Sequence, residues 1–207
     1  MTYPPRITAT YYGAAAKQLE EVKTSSSGGI ASVFARAIIR DGGCVFGAAY
    51  DTFPDVKHIC VDSEDDVVRL KGSKYVESDI KNALKCAKSR LDVGKNVLFV
   101  GLPCQIAALY GILGGDRANL VTVDLICHGK PPQKLFSLWV SELEKKFGMR
   151  VVDYWFRNKF NCAWNNPGTF LHYCKLEDGR IVPVPREWNW YAASKSFFVA
   201  TKIFADG

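Results

Sequence analysis

Asn96-Val-Leu-Phe-Val-Gly-Leu-Pro-Cys-Gln105 and Leu120-Val-Thr-Val-Asp-Leu-Ile-Cys-His-Gly129 decide the fold. Each stretch opens with an apolar run of strand length and ends in a turn that carries glycine and one cysteine. Such runs, apolar on both faces, belong to strands covered on both sides, as in a parallel sheet. A helical pattern follows each turn, over Ile106 to Leu113 and over Gln133 to Phe147. Strand, turn, helix, repeated, predicts parallel α/β architecture.

Upstream, Ile30 to Arg40 places Ile30, Val33, Phe34, Ala37 and Ile38 at helical spacing, and Asp41-Gly42-Gly43 stops the helix. Cys44 to Tyr50 reads as a strand with Val56 to Val61 as its hairpin partner. Ser63-Glu-Asp-Asp66 starts a short helix, and Asp79 to Leu91 forms another. Beyond Gly148 the pattern turns antiparallel, with strands at Val151 to Arg157, Thr169 to Leu176 and Ile181 to Val184, and an Asp178-Gly179 turn. Trp188 to Ile203 has a helical pattern. The expectation is an α/β fold: a mixed sheet with a parallel core flanked by helices, plus a smaller antiparallel C-terminal section. Residues 1–23 form a leader, 24–148 the core, and 149–207 an incomplete part of the same domain. The abrupt end at Phe204-Ala-Asp-Gly207 suggests a fragment.

The 207 residues carry 27 Lys+Arg against 21 Asp+Glu, and 48% are hydrophobic, which excludes a disordered chain. No apolar run approaches the roughly 18 residues of a membrane span. The N-terminus has no apolar signal region. A cytoplasmic protein is expected. The lysines between Lys71 and Lys95 interleave with Glu77, Asp79 and Asp92, so they read as a solvated face and not as a nucleic-acid stripe.

There are seven cysteines, and no two share C-x-x-C spacing. That excludes a self-sufficient zinc ribbon, thioredoxin motif or ferredoxin motif. Cys104 and Cys127 stand out because each follows a strand end, where open α/β sheets bind ligands. Pro103 suits a first helical turn and leaves Cys104 at a helix N-terminus, where thiolates and anions are favoured. Cys162 and Cys174 read as packing residues. Trp155, Trp164, Trp188 and Trp190 read as core or interface. His128 stands open between a structural histidine and an acid–base group. The Ser25-Ser-Ser-Gly-Gly29 turn is either a helix cap or a phosphate-holding loop. Gly72-Ser73-Lys74-Tyr75 is either a helix-bounding turn or a Lys/Ser phosphate grip with an aromatic lid. No dinucleotide fingerprint or P-loop is present.

Ser25-Ser-Ser-Gly-Gly29, Lys71-Gly-Ser-Lys-Tyr75, Gly101-Leu-Pro-Cys-Gln105 and Val123-Asp-Leu-Ile-Cys-His-Gly129, taken in that order, resemble the coenzyme F-420 hydrogenase/dehydrogenase beta-subunit family. The resemblance runs over about residues 22–185. It implies a flavin-dependent oxidoreductase subunit that binds FAD and a 4Fe-4S cluster. Such a subunit passes electrons between the cluster and a hydride-carrying small molecule such as coenzyme F-420. It implies that Ser26, Ser27, Gly28 and Gly29 form the flavin-side loop, and that Gly72, Ser73, Lys74 and Tyr75 grip the cofactor. It makes Cys104 and Cys127 cluster ligands, with Pro103, Gln105 and Gly129 as further cofactor-binding residues. His128, as catalytic residue, and Gly129 would line the same crevice. Many members carry an N-terminal ferredoxin domain with C-x-x-C-x-x-C runs, absent from these 207 residues. A ferredoxin-like domain or separate electron-transfer subunit is therefore the expected partner. Two other readings stand: an incomplete, non-catalytic electron-transfer partner, and a thiol enzyme with Cys104 as nucleophile.

Overall fold

In the computed structural model, which describes residues 10–127, 129–157, 159 and 172–185, the two decisive stretches lie side by side. Strand β1 (Cys44–Tyr50) turns into antiparallel β2 (Val56–Val61). Strand β3 (Val97–Gly101) runs parallel to β1, and β4 (Leu120–Asp124) runs parallel to β3. The sheet order is β2-β1-β3-β4. A second sheet of β5 (Val151–Trp155), β6 (Tyr173–Leu176) and β7 (Ile181–Pro183) is antiparallel throughout. The helices are α1 (Leu19–Lys23), α2 (Ile30–Arg40), α3 (Val67–Leu70), α4 (Lys81–Asp92), α5 (Pro103–Leu113) and α6 (Gln133–Phe147). The α/β class, the parallel core and the antiparallel section are as the sequence predicts.

Alternation along the strands explains the layers. Cys44, Phe46, Val97 and Phe99 face α4 and α5, packing with Ala83, Leu84, Ala87, Ile106 and Leu109. Val45 and Leu98 point the other way, into a cluster with Ala35 of α2 and Val67 of α3. All six strand side chains are 0% exposed, so the first sheet is covered on both faces. A third cluster packs Phe136, Trp139, Val140 and Leu143 of α6 against Val151, Tyr154, Phe156, Cys174 and Leu176. Tyr50 and Phe53 join this cluster from the end of β1, Tyr50 through a hydrogen bond from its hydroxyl to the Tyr154 carbonyl at 3.0 Å. Cys174 is a packing residue, as expected, and is fully buried.

Some boundaries differ from the sequence pattern, for local reasons. The helix expected from Asp79 starts at Lys81, because the Asp79 main chain pairs with β2 instead. The His58 amide donates to the Asp79 carbonyl at 2.9 Å, and the Asp79 amide donates to the Val56 carbonyl at 3.0 Å. Helix α5 begins at Pro103, three residues before the apolar pattern shows it, because Pro103 needs no amide partner in the first turn. Strand β4 ends at Asp124 because its neighbour β3 ends at the register partner Gly101. The helical pattern expected over Trp188 to Ile203, and the positions of His128, Cys162, Trp164 and Trp190, lie outside the described residues.

Phe99 tests this packing. Its ring stacks on Phe46 at 5.7 Å and on His58 at 5.3 Å, and it is 0% exposed. Phe99→Ala is expected to cost about 3–5 kcal/mol. A urea denaturation midpoint that did not move would contradict the two-sided packing.

Candidate functional site at the strand ends

Parallel register sets the geometry. Gly101 pairs with Asp124, and the Leu125 amide extends the ladder by donating to the Gly101 carbonyl at 2.9 Å. Cys104 and Cys127 each follow that pair by three residues, on neighbouring strand ends. Cys104 lies exposed in the first turn of α5, while Cys127 is half-buried and its Sγ accepts the Gly129 amide at 3.4 Å. Gln105 locks the start of α5: its Oε1 accepts the Leu102 amide at 2.9 Å.

The same Gln105 leads to a feature that the sequence reading missed. Its Nε2 donates to Ser78 Oγ at 3.0 Å, and Ser78 Oγ in turn donates to His58 Nδ1 at 2.9 Å. His58 Nε2 completes the chain by donating to the Val100 carbonyl at 3.0 Å. Those bonds assign the Nε2-protonated, neutral ring. Burial pushes the His58 pKa down to about 4, against the pull of the Val100 carbonyl. A lone histidine within an apolar strand gives no such signal, because its partners come from two other segments.

The Lys71 motif is held mainly by its own chain. Lys71 Nζ pairs with Glu21 Oε1 at 2.8 Å and donates to Thr24 Oγ1 at 2.7 Å. Burial works against the Glu21 charge, but hydrogen bonds from Lys71 and Ser32 hold its carboxyl below the usual range. The Ser73 amide donates to Ser26 Oγ at 2.7 Å, joining the first two motifs directly. Lys159 Nζ donates to the Ser27 carbonyl at 2.6 Å and to the Val22 carbonyl at 3.0 Å. Gly28 lies against residues 14 and 15, where a Cβ would come within 2.9 Å of the Ala14 carbonyl oxygen. Gly29, with φ of 78°, takes the left-handed conformation that opens α2.

Lys74 is largely enclosed. Its Nζ donates to the Lys71 carbonyl at 2.7 Å and the Arg69 carbonyl at 3.2 Å, and sits 5.9 Å from the Tyr50 ring centroid. Burial pushes its pKa down to about 8, although the Asp153 charge opposes this. Burial also raises the Asp153 carboxyl pKa. Tyr75 turns inward, edge-on to Phe156 at 5.6 Å.

Beside Lys74 opens a cleft of about 540 Å³. One wall is Arg69, Lys71, Gly72, Ser73 and Lys74; another is Tyr50, Asp51 and Phe53. The third comes from β5 and the residues after it, Val152 to Arg157, of which Tyr154 and Phe156 also belong to the buried core. The β5 wall was also missed, although its alternation is visible in the sequence. Cys104, Cys127 and Ser26–Gly29 do not line this cleft.

One extended segment nevertheless ties the four motifs together. Ser73 contacts the Ser26 loop, and Ser78 contacts Gln105. Between them the Glu77 amide donates to the Pro131 carbonyl at 2.8 Å, and Glu77 Oε1 pairs with Lys130 Nζ at 2.8 Å, just past Gly129. Among the described residues, no group of three or more His, Cys, Asp or Glu side chains is placed to hold a metal ion. No helix among them is long and apolar enough to cross a membrane.

A mostly parallel sheet, covered on both faces and carrying two of its motifs at the strand ends, defines an α/β protein. Residues 94–175 match the family described as the C terminus of the coenzyme F420 hydrogenase/dehydrogenase beta subunit. The chain resembles that family, as its four motifs imply. A solved chain of the F420-reducing NiFe hydrogenase complex from Methanosarcina barkeri shares the fold, with a TM-score of 0.55 and 20% identity. That match covers 84% of this chain and 59% of the hydrogenase chain. No curated protein sequence matches.

The neutral His58 gives this site a pH signature. Above about pH 6.5 the ring is neutral whether the chain is folded or not. As pH falls towards 4, the unfolded chain takes up a proton that the folded ring refuses. Stability should therefore drop through that window, by about 3 kcal/mol in all. His58→Gln should remove most of that slope in urea titrations at stepped pH, and an unchanged slope would show that His58 is not its source.

Proposed function

We propose that this chain is an electron-transfer oxidoreductase subunit that holds FAD and passes electrons between an iron–sulfur centre and a hydride-carrying small molecule. The observation that supports this best is that residues 71–78 contact the Ser26 loop, Gln105 and the Lys130–Pro131 turn that follows Gly129. A flavin enzyme needs its cofactor loop, its grip residues and its electron entry point within reach of one another.

The residues suit a flavin nucleotide. The cleft falls within the roughly 300–1,000 Å³ typical of small-molecule sites. Arg69, Lys74 and Arg157 outnumber Asp51 and Asp153 around it, which favours an anionic, phosphate-bearing ligand. In the adjoining loop, Ser25 Oγ is buried with no hydrogen-bond partner among the described residues. Bound there, FAD would supply both two-electron hydride chemistry and one-electron transfer. Ser26 fixes the Ser73 amide, Gly29 sets the opening of α2, and Lys74 presents a charge that its enclosure leaves poorly hydrated. Asp153 shares the cleft with Lys74, and its charge favours the Lys74 ammonium against the effect of burial.

The residues do not complete a 4Fe-4S site. A cluster needs four thiolates, and Cys104 and Cys127 are the motif pair. No third ligand joins them among the described residues. No electron step is assigned to this pair alone; the remaining ligands are expected from a ferredoxin-like domain or partner subunit.

Anaerobic purification and reconstitution with FAD, followed by absorbance and by flavin and iron analysis, tests the reading. A flavin spectrum with near-stoichiometric FAD is expected, and a protein that stays colourless would refute it. Lys74→Gln should weaken FAD binding at least about tenfold, the scale of one lost charged hydrogen bond. In the unmutated protein, binding should also weaken as pH rises through about 8, where Lys74 loses its proton. Cys104→Ser should leave the flavin bound, since Cys104 does not line the cleft.

A further inference from the structure

The first sheet has two edges, and they differ. At the β2 edge the His58 amide donates to the Asp79 carbonyl, the Asp79 amide to the Val56 carbonyl, and the Val56 amide to Gln133 Oε1 at 3.1 Å. β4 is the other edge. Its bonds to β3 include those from the Val97 amide to the Asn119 carbonyl and from the Leu125 amide to the Gly101 carbonyl, both at 2.9 Å. Bonding residues alternate along a parallel ladder. The odd-numbered residues of β4 therefore face β3, and Leu120, Thr122 and Asp124 turn their main chain outward. The Leu120 amide is taken by the Arg117 carbonyl at 3.0 Å, whereas no main chain among the described residues pairs with Thr122 or Asp124 on the outer side.

The side chains along this open edge are apolar. Val121 is 48% exposed, Val123 reaches only the margin of the cluster under α2, and Leu125 and Ile126 stand exposed just beyond. Monomeric proteins blunt such edges with lysine, proline or a bulge. Residues 120–126 contain neither lysine nor proline, and β4 pairs with β3 without a bulge. The edge also matches its own reverse, because Val121-Thr122-Val123 reads the same in both directions.

We propose that β4 is a self-association edge, on which a second copy of this chain lays its own β4 antiparallel about Thr122. Charge and register choose both the occupant and the centre. Two copies related by a twofold axis pair antiparallel, and outward residues must meet outward residues. Centring on Val123 or Asp124 brings the Asp124 carboxylates of the two copies diagonal or opposite, where like charges repel. Centring on Leu120 or Val121 carries Asp124 past the start of the other strand, into the turn that the Leu120 amide closes on the Arg117 carbonyl. Centring on Thr122 pairs the whole strand and keeps the carboxylates apart. The Thr122 amide of each copy then donates to the Thr122 carbonyl of the other, and Asp124 meets Leu120. Each exposed Val121 meets Val123 of the second copy in a closely spaced pair, which takes it out of water. Two four-stranded sheets become one of eight strands.

Sedimentation velocity of the reduced 207-residue chain, from low to high micromolar, tests this. The mass should rise with concentration from 23.0 kDa towards twice that value. Val121→Lys should weaken association at least about tenfold, because it presses an unpaired ammonium against Val123 of the second copy. Its far-UV circular dichroism should not change, since Val121 is exposed in the single chain. Cysteine substitution reads the register. Thr122→Cys sets two Cα atoms about 5.5 Å apart, within the usual disulfide span, so mild oxidation should join the two substituted positions. Asp124→Cys, which meets Leu120, should give no such link. Peptide mapping separates these links from any through the exposed Cys104. A chain that stays monomeric at every concentration overturns the proposal, whether its β4 amides exchange freely or are shielded by its own residues. So does a dimer that Val121→Lys leaves intact, or one that links through Asp124→Cys and not through Thr122→Cys. No cofactor enters these measurements, so their outcome is independent of the proposed function.

Discussion

A buried histidine that must stay neutral holds the strand ends together. His58 is enclosed, so a charge on its ring would be strongly disfavoured. It therefore keeps one donor and one acceptor nitrogen, and both are used. The hydrogen bonds run from Leu102 through Gln105, Ser78 and His58 to Val100. In a poorly hydrated interior such a chain is strong when complete and costly when broken. It ties the turn that carries Cys104 to the segment that carries Lys71 to Ser78. The other motif contacts, Ser73 with Ser26 and Glu77 with Pro131, depend on that segment lying where His58 and Gln105 hold it.

The glycines and lysines of the motifs have two kinds of work, and the structure separates them. Gly28 makes room for the chain's own backbone at residues 14 and 15, and Lys71 is consumed by Glu21 and Thr24. These residues build the loop. Lys74 differs, since its ammonium stands on two carbonyls beside the cleft with Tyr50 under it. The charge offered to a ligand is therefore concentrated on Lys74 and on the Arg69 and Arg157 that share its cleft. The two motif cysteines lie apart from the lining of that cleft, at the ends of β3 and β4. In the proposed function the flavin site and the electron entry point are thus neighbours joined by residues 71–78, with Cys104, Cys127 and Ser26–Gly29 outside the lining of the cleft.

The sequence by itself determined the parallel core. Runs such as Val97 to Val100 are apolar at every position, and only a strand covered on both faces accommodates that. It also determined the strand-end positions of Cys104 and Cys127, since Pro103 and the apolar runs fix where each strand stops. Four ordered motifs sufficed for the family resemblance. Only the tertiary structure decided which side chains meet. His58, Ser78 and Gln105 are far apart in the chain, and each is ordinary alone, so their hydrogen-bond chain has no local signature. The cleft wall of Asp153, Trp155 and Arg157 has the same origin. The physical reason is that periodicity reports which face of an element is buried, whereas the partner across that face is chosen by sheet order and register, which are set by the whole chain at once.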